Sequence, residues 1–142
     1  MNWLSRWEIF ALASAVFAGL TAFLSKIGVA NINSNVATFI RTLVVLVATA
    51  CILSYRNEWQ RPQTIEAKTW IFLALSGIAT GLSWLCYYRA LQLGPVSKVA
   101  PVDKLSIVLA IILGIVFLNE KLTWPIVIGG GFVVLGVIVI TL

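Results

Sequence analysis

Five long apolar stretches, separated by short polar connections, occupy most of this 142-residue chain. They cover residues 7–30, 36–55, 69–91, 96–118 and 124–142. Each is about 20 residues long, the length at which an α-helix crosses roughly 30 Å of hydrocarbon. A helix also satisfies its own backbone hydrogen bonds, whereas an open sheet edge in lipid leaves polar groups unpaired. The pattern predicts an all-α integral membrane protein with five transmembrane helices, forming one domain over residues 1–142.

Composition and patterning support a membrane location. Hydrophobic residues make up 61% of the chain and charged residues 11%, and the mean hydropathy is +1.02. A soluble domain carries about a quarter charged residues. The stretches do not alternate as barrel strands do. The first continues past a cleavage-like Ala13-Ser14-Ala15 and is longer than the apolar region of a signal peptide, so we expect it to remain as a helix. The predicted location is therefore multi-pass in the cell membrane, the inner membrane in a bacterium.

The chain offers little for catalysis. It has no histidine, and its two cysteines, Cys51 and Cys86, fall inside predicted helices without a CxxC pattern, so both are interpreted as small core residues. It contains no nucleophile–base pair and no phosphate-binding loop. We therefore expect no catalytic residue, no metal site, no cofactor and no enzymatic activity. The net charge of +5 lies largely beside the predicted helices and does not indicate a nucleic-acid partner.

The connections carry helix start and stop signals. The run Asn31–Asn35 offers side-chain oxygens that cap the second helix. Gly94 is expected to take the left-handed conformation after the third helix, with Pro95 preventing continuation. Pro125 falls in the first turn of the fifth helix, where proline is tolerated.

Four charged residues lie inside the predicted spans, where an ionisable group costs several kcal/mol unless it is paired or hydrated. They are Lys26, Arg41, Asp103 and Lys104, and they come from the first, second and fourth helices. Each lies one to two turns from the same membrane face. One interpretation is an aqueous substrate path lined by these helices. The other is that Lys26 and Lys104 extend their apolar stems so that the ammonium groups reach the interface.

Helical spacing places polar or small residues on shared faces that can line such a path. These faces comprise Thr38, Arg41, Thr42 and Thr49 in the second helix, Ser76, Thr80, Ser83 and Tyr87 in the third, and Asp103, Ser106, Ala110 and Gly114 in the fourth. Trp84, Tyr87 and Tyr88 supply aromatic walls. The candidate path residues are Arg41, Trp84, Tyr87, Asp103, Lys104 and Lys26. The four charges sum to +2, which favours a small-molecule substrate bearing a carboxylate or another anionic group.

Two residues of the fourth helix have alternative roles. Asp103 is a candidate proton carrier, because burial favours the neutral acid and a neighbouring cation favours the carboxylate. A structural ion pair with Arg41 or Lys26 is equally compatible with its position. Pro101 cannot donate to the carbonyl of Ser97, so the helix either bends there, as at many transporter sites, or contains Pro101 in an undistorted first turn.

Basic residues are nearly balanced between the two membrane faces. Arg6, Arg56, Arg61, Lys68 and Lys121 lie toward the face of the N-terminus, and Lys26, Arg41, Arg89, Lys98 and Lys104 toward the other. Short-loop counting alone favours a cytoplasmic N-terminus, with five against Arg89 and Lys98. The weak bias fits a protein that inserts in both orientations.

The sequence resembles the EamA-type repeat of the drug/metabolite transporter superfamily along nearly its whole length. Arg41 resembles a frequent arginine of the second helix. The residues that resemble the region around the fourth helix are Ala90-Leu91, Ala100-Pro101 and Leu118-Asn119-Glu120-Lys121-Leu122-Thr123, where Asn119 replaces the usual glycine. Gly129-Gly130-Gly131 and Gly136 are similar to the glycine-bearing fifth helix. Asp103-Lys104 departs from a stretch that is commonly neutral in the family, which predicts an unusual substrate.

The resemblance implies a transporter or exporter of a small metabolite or drug-like solute that works by alternating access. Most members resemble two fused repeats, whereas this chain has one. Five crossings place the termini on opposite sides, so tandem copies would be inverted relative to each other. We therefore expect an antiparallel homodimer in the lipid bilayer or a heteromer with a second half. The alternatives are a non-transporting subunit or scaffold of a larger complex, and a lipid-carrier flippase.

Overall fold

The computed structural model describes residues 7–142, so Arg6, which contributes to the charge balance, lies outside the described residues. The helices are α1 (Trp7–Gly28), α2 (Ser34–Arg56), α3 (Ala67–Leu93), α4 (Val96–Asp103), α5 (Ser106–Leu118) and α6 (Trp124–Thr141). A short 3-10 turn, Pro62–Thr64, interrupts the loop between α2 and α3. No strand occurs in residues 7–142, which confirms the all-α prediction.

Five helical segments are long and apolar enough to cross a membrane, because α4 and α5 together form one span, Val96–Leu118. Their ends fall within two residues of the predicted bounds. Large apolar side chains remain exposed on every span; Phe17, Phe39, Phe72, Phe117 and Phe132 are all more than half exposed. Lipid or a partner helix can cover such surfaces without cost, whereas water cannot. The chain is a multi-pass membrane protein.

The fourth span is interrupted at Lys104 and Leu105. There the amides of Lys104 and Leu105 donate to the carbonyls of Pro101 and Val102, both at 3.0 Å. These i→i−3 bonds are the tighter pattern of a 3-10 turn. Pro101 lies inside α4 and has no amide to donate to the preceding turn. The break therefore follows directly after a turn that has already lost one α-helical hydrogen bond.

The helix ends follow mostly from local side-chain chemistry. The Asn33 side chain accepts from the Asn35 amide at 2.8 Å and caps α2, and Pro125 lies in the first turn of α6; both predictions are confirmed. The expectation of a left-handed Gly94 is wrong, since no glycine in residues 7–142 has a positive φ. A residue that precedes proline is driven toward extended backbone by contact with the proline ring, and Pro95 therefore overrides the preference of Gly94.

The described chain divides into two compact units. One is residues 24–92, which holds the end of α1, all of α2 and nearly all of α3. Its buried residues are Val29, Ser34, Thr38, Tyr88 and Leu91, near the ends of α1 and α3 and the start of α2. The other unit combines Leu93–Leu142 with the chain up to Phe23. In it α6 packs against both α4 and α5, and the Lys98 ammonium donates to the Thr141 carbonyl at 3.2 Å.

A tight turn at Asn119 and Glu120 folds back on α5. Asn119 is left-handed, with φ of 55°, and its amide donates to the Gly114 carbonyl. The amide of Glu120 donates to the same carbonyl at 3.2 Å, and its carboxylate lies where a side chain on Gly114 would begin. Asparagine is the residue that, after glycine, best tolerates this conformation, which explains how Asn119 replaces the glycine usual in the family pattern.

We expect the left-handed turn to make stability sensitive to residue 119. Asn119→Gly removes the remaining steric cost and should raise the thermal midpoint in dodecyl maltoside, followed by circular dichroism. Asn119→Val should lower the free energy of unfolding by roughly 1–2 kcal/mol, because a β-branched side chain clashes with its own backbone there. Asn35→Val, on the exposed first turn of α2, is the control and should stay within about 0.5 kcal/mol. Equal effects at both positions would contradict the assignment.

Candidate substrate-recognition site

Arg41 in α2 lies against two aromatic rings of α3. Its guanidinium carbon is 4.0 Å from the centroid of the Trp84 ring and 5.9 Å from that of Tyr88. Trp84 and Tyr88 are one helical turn apart and so project from the same side of α3. Arg41 is seven residues after Ser34, about two turns and roughly 10 Å into the helix. The two sequence-predicted residues Arg41 and Trp84 are thus brought into direct contact.

Tyr88 connects this contact to α1. Its hydroxyl shares a hydrogen bond of 3.0 Å with the hydroxyl of Ser25, and only 4% of the residue is exposed. Tyr87, a predicted path residue, adjoins it with ring centroids 6.5 Å apart and planes tilted by 35°. Arg41, Trp84, Tyr88 and Ser25, which we call the Arg41 cluster, therefore join α1, α2 and α3 inside one unit.

The predicted hydroxyl stripes direct their protons into their own helices. Thr38 donates to the Ser34 carbonyl at 2.9 Å, Thr42 to the Thr38 carbonyl at 2.8 Å, and Thr80 to the Ser76 carbonyl at 2.9 Å. This i→i−4 bonding satisfies a hydroxyl donor where no water is available. Because their protons are used in this way, these hydroxyls can act toward other groups only as hydrogen-bond acceptors.

Lys26 and Gln92 cap the carbonyl ends of each other's helices. The Lys26 ammonium, in α1, donates to the carbonyl of Leu91 in α3. The Gln92 amide, in α3, donates to the carbonyls of Val29 (3.1 Å) and Ile32 (2.7 Å) after α1, while its oxygen accepts from Arg89 at 3.1 Å. Helix C-termini leave carbonyls unpaired and carry partial negative charge, which a cation stabilises. Lys26, predicted to line the substrate path, therefore bonds the end of α3 in this structure.

Asp103 and Lys104 belong to the other unit, at the break between α4 and α5. The Lys104 ammonium lies 3.2 Å from a carboxylate oxygen of Asp103. The Asp103 side chain is 36% exposed and the Lys104 side chain 52%, so the pair is partly accessible to its surroundings. Neighbouring residues of a continuous helix point in different directions, and the turn at Lys104 is what lets these two meet. The pair is neutral as a whole, so the predicted sum of +2 is carried by Lys26 and Arg41.

The most important residue missed by sequence reasoning is Gln92. A glutamine near the end of a helix is a common surface residue, and nothing in its spacing predicts two carbonyl partners some 60 positions away. Ser25 was missed for the same reason, since a lone serine on an apolar helix has many possible partners. Both contacts depend on how α1 and α3 pack.

Replacing Gln92 should destabilise the protein without touching the Arg41 cluster. Gln92→Leu leaves the Val29 and Ile32 carbonyls without their donor and should lower the free energy of unfolding by roughly 1–3 kcal/mol. The measurement is thermal or SDS-induced unfolding in detergent. Gln63→Leu, the same change in the exposed 3-10 turn, is the matched control. A Gln92→Leu protein as stable as this control would contradict the capping role.

Comparison with known proteins shows the family to which the chain is similar. The profile of the EamA-like transporter family matches residues 5–142. A protein of Sinorhizobium sp. named an uncharacterized transporter in the cobO 3' region is 52% identical over 134 residues, which cover 94% of this chain and 95% of that protein. An uncharacterized protein of Methanocaldococcus jannaschii is 28% identical over 135 residues, covering 94% and 95%. No solved structure matches the chain.

These matches confirm the resemblance found in the sequence. The family profile covers all five spans, and both relatives align over almost their full length, so they have the size of a single repeat. With five apolar helices and a relative named as a transporter, the chain belongs to the EamA-like transporter family.

Proposed function

We propose that this protein is a secondary transporter of a small metabolite or drug-like solute that works by alternating access as an antiparallel homodimer. The observation that carries the proposal is the Arg41 cluster. A charged side chain two turns inside a spanning helix is held by aromatic residues of a neighbouring helix. Intramembrane charges that face protein are characteristic of substrate and ion pathways.

The fourth span supports the alternating-access part of the proposal. It is broken at Lys104 and Leu105, beside the Asp103–Lys104 pair. Discontinuous helices with polar groups at the break recur in secondary transporters, because the freed backbone and nearby charges can serve substrate or coupling ions. We assign Asp103 and Lys104 to the substrate path, with Asp103 as the candidate proton carrier.

The odd number of spans supports the antiparallel arrangement. Five crossings place the two ends of the repeat on opposite sides of the membrane, so two copies form an inverted pair only when one is turned over. Inverted repeats are a common way to build transporters with two alternating access states. The single-repeat size of the relatives and the balanced basic residues fit this arrangement.

Dual insertion is testable with reporters fused after Leu142. In a bacterial host, a fluorescent protein that matures in the cytoplasm and a phosphatase that folds only outside it should both be active, in separate fusions of the same chain. Adding two lysines to the loop beside Lys121 should shift both populations to one side, because basic residues stay in the cytoplasm. A reporter active on one side only in the unaltered chain would eliminate the antiparallel homodimer and leave a parallel dimer or a heteromer.

Transport should depend on Arg41. In proteoliposomes tested with a panel of radiolabelled carboxylic acids, amino acids and amines, Arg41→Gln should lower the initial uptake rate of a transported solute at least ~tenfold, a loss of about 1.4 kcal/mol in binding or barrier. Arg61→Gln, the same change in the exposed loop, should leave uptake within about twofold.

The competing class is a membrane subunit without transport activity. It predicts no protein-dependent uptake of any solute in the panel, while Arg41→Gln and Asp103→Asn would alter assembly, seen as a changed elution volume in detergent. If Arg41→Gln abolishes uptake while the variant elutes at the same volume as the unaltered protein, the result supports a transporter over a non-transporting subunit.

A further inference from the structure

The Arg41 guanidinium has aromatic neighbours that stabilise its charge but accept no conventional hydrogen bond. At 4.0 Å from the Trp84 centroid it lies in close contact with the ring, and Tyr88 is within cation–π range. A ring face offers electron density and no lone pair. The contact therefore holds the guanidinium in place and leaves its planar set of five N–H donors to be satisfied elsewhere.

Nothing within residues 24–92 satisfies those donors. The acidic residues of this unit are Glu58 and Glu66, both in the loop between α2 and α3, and Glu58 pairs with Arg56 at 3.6 Å. No side chain or carbonyl of residues 24–92 accepts a hydrogen bond from the guanidinium. A charged group inside a span without a counter-charge or an acceptor raises the free energy of the folded protein. Arg41 therefore needs a hydrogen-bond acceptor that this unit does not supply.

The neighbouring polar groups of the unit are already committed. Thr38, one turn before Arg41, and Thr42, the residue directly after it, donate into their own helix. The Tyr88 hydroxyl is bonded to Ser25, and the carbonyls at the ends of α1 and α3 are occupied by Gln92 and Lys26. Arg41 thus combines a full charge, a position fixed by Trp84 and Tyr88, and donors that residues 24–92 leave unused.

We infer that Arg41 is the group that selects an anionic solute, binding an oxyanion such as a carboxylate or a phosphate through its N–H edge while Trp84 holds its ring-facing side. The inference rests on the proposed transport function and names the substrate class for it. Two coplanar oxygens match the fork of a guanidinium, and such bidentate bonds are shorter and stronger than neutral ones. An ammonium is a point charge and lacks this match.

The sum of intramembrane charges is not the basis for this selectivity. Asp103 and Lys104 cancel each other, and Lys26 is engaged with a carbonyl. A single oriented cation instead predicts recognition of one oxyanion group and little preference for higher charge. Monocarboxylates should therefore bind about as well as dicarboxylates of similar size.

The test is ligand binding by the purified full chain in dodecyl maltoside. Thermal midpoints are measured with sodium acetate, benzoate, succinate and phosphate, against tetramethylammonium chloride at equal ionic strength. A ligand that binds the folded state raises the midpoint with its concentration. We expect a saturable rise of several degrees with at least one of the oxyanions, and none with tetramethylammonium beyond the salt baseline.

Variants separate recognition from general stability. Arg41→Gln should abolish the oxyanion-dependent rise, and Arg41→Lys should weaken apparent affinity at least ~tenfold while keeping the charge. Arg61→Gln should respond as the unaltered protein does. Elution volume and the midpoint without ligand report whether each variant is folded, and Arg41→Lys keeps the test decisive should Arg41→Gln not fold.

A lipid phosphate offers the same chemistry as a soluble anion, so the assay is repeated after adding phosphatidylglycerol or neutral phosphatidylcholine. Soluble oxyanions that still bind and compete with phosphatidylglycerol support the inference. An Arg41-dependent response to phosphatidylglycerol alone would overturn the inference and indicate a lipid-headgroup site instead. No response to any oxyanion, or a response that Arg41→Gln leaves unchanged, would also overturn it.

The outcomes also separate this inference from the transport proposal. Uptake of a cationic or neutral solute that is unaffected by anions would overturn the substrate class and leave transport standing. Arg41-dependent oxyanion binding without uptake of the same radiolabelled anion into proteoliposomes would overturn transport and leave the anion site.

Discussion

Hydrocarbon offers no hydrogen-bond partners, and each polar group inside the spans must find one within the protein. The backbone meets this requirement by forming helices. Thr38, Thr42 and Thr80 meet it by donating to carbonyls one turn back. Where a helix ends and its carbonyls are released, a side chain from another helix takes over, as Gln92 does for Val29 and Ile32. Much of the polar structure of residues 24–92 follows from this constraint.

Arg41 stands apart from that pattern. Its charge is stabilised by Trp84 and Tyr88, but its donors are not used by the unit in which it lies. A structural arginine in a membrane would be expected to bond to carbonyls or carboxylates, as Lys26 does with Leu91. The contrast between these two cations of one unit is the physical reason for treating Lys26 as structural and Arg41 as the recognition group of the proposed transporter.

Charge is organised differently at the break in the fourth span. Asp103 and Lys104 form a neighbouring pair that is partly exposed, and the span changes from α-helical to 3-10 hydrogen bonding at the same place. In the proposed mechanism this pair is the part that responds to coupling ions, while Arg41 provides selectivity.

The sequence by itself determined the five spans, the all-α class and the family. These follow from apolar length, from the cost of unpaired backbone groups and from residue order between Arg89 and Gly136. Local ends at Asn33 and Pro125 were equally predictable, because a cap depends on residues a few positions apart. At Gly94 two local preferences competed, and the proline that follows it prevailed.

Only the tertiary structure decided which charged residue meets which partner. Helical periodicity places Arg41, Lys26 and Trp84 on faces of their helices, but the rotation and axial position of one helix against another are set by packing along their whole length. The Arg41–Trp84 contact, the Gln92 caps and the Ser25–Tyr88 bond join residues 40 or more positions apart. Helical periodicity relates only residues within a few turns of each other and does not predict contacts between different helices. The sequence therefore indicated the charged residues, and the packing of the helices determined their partners.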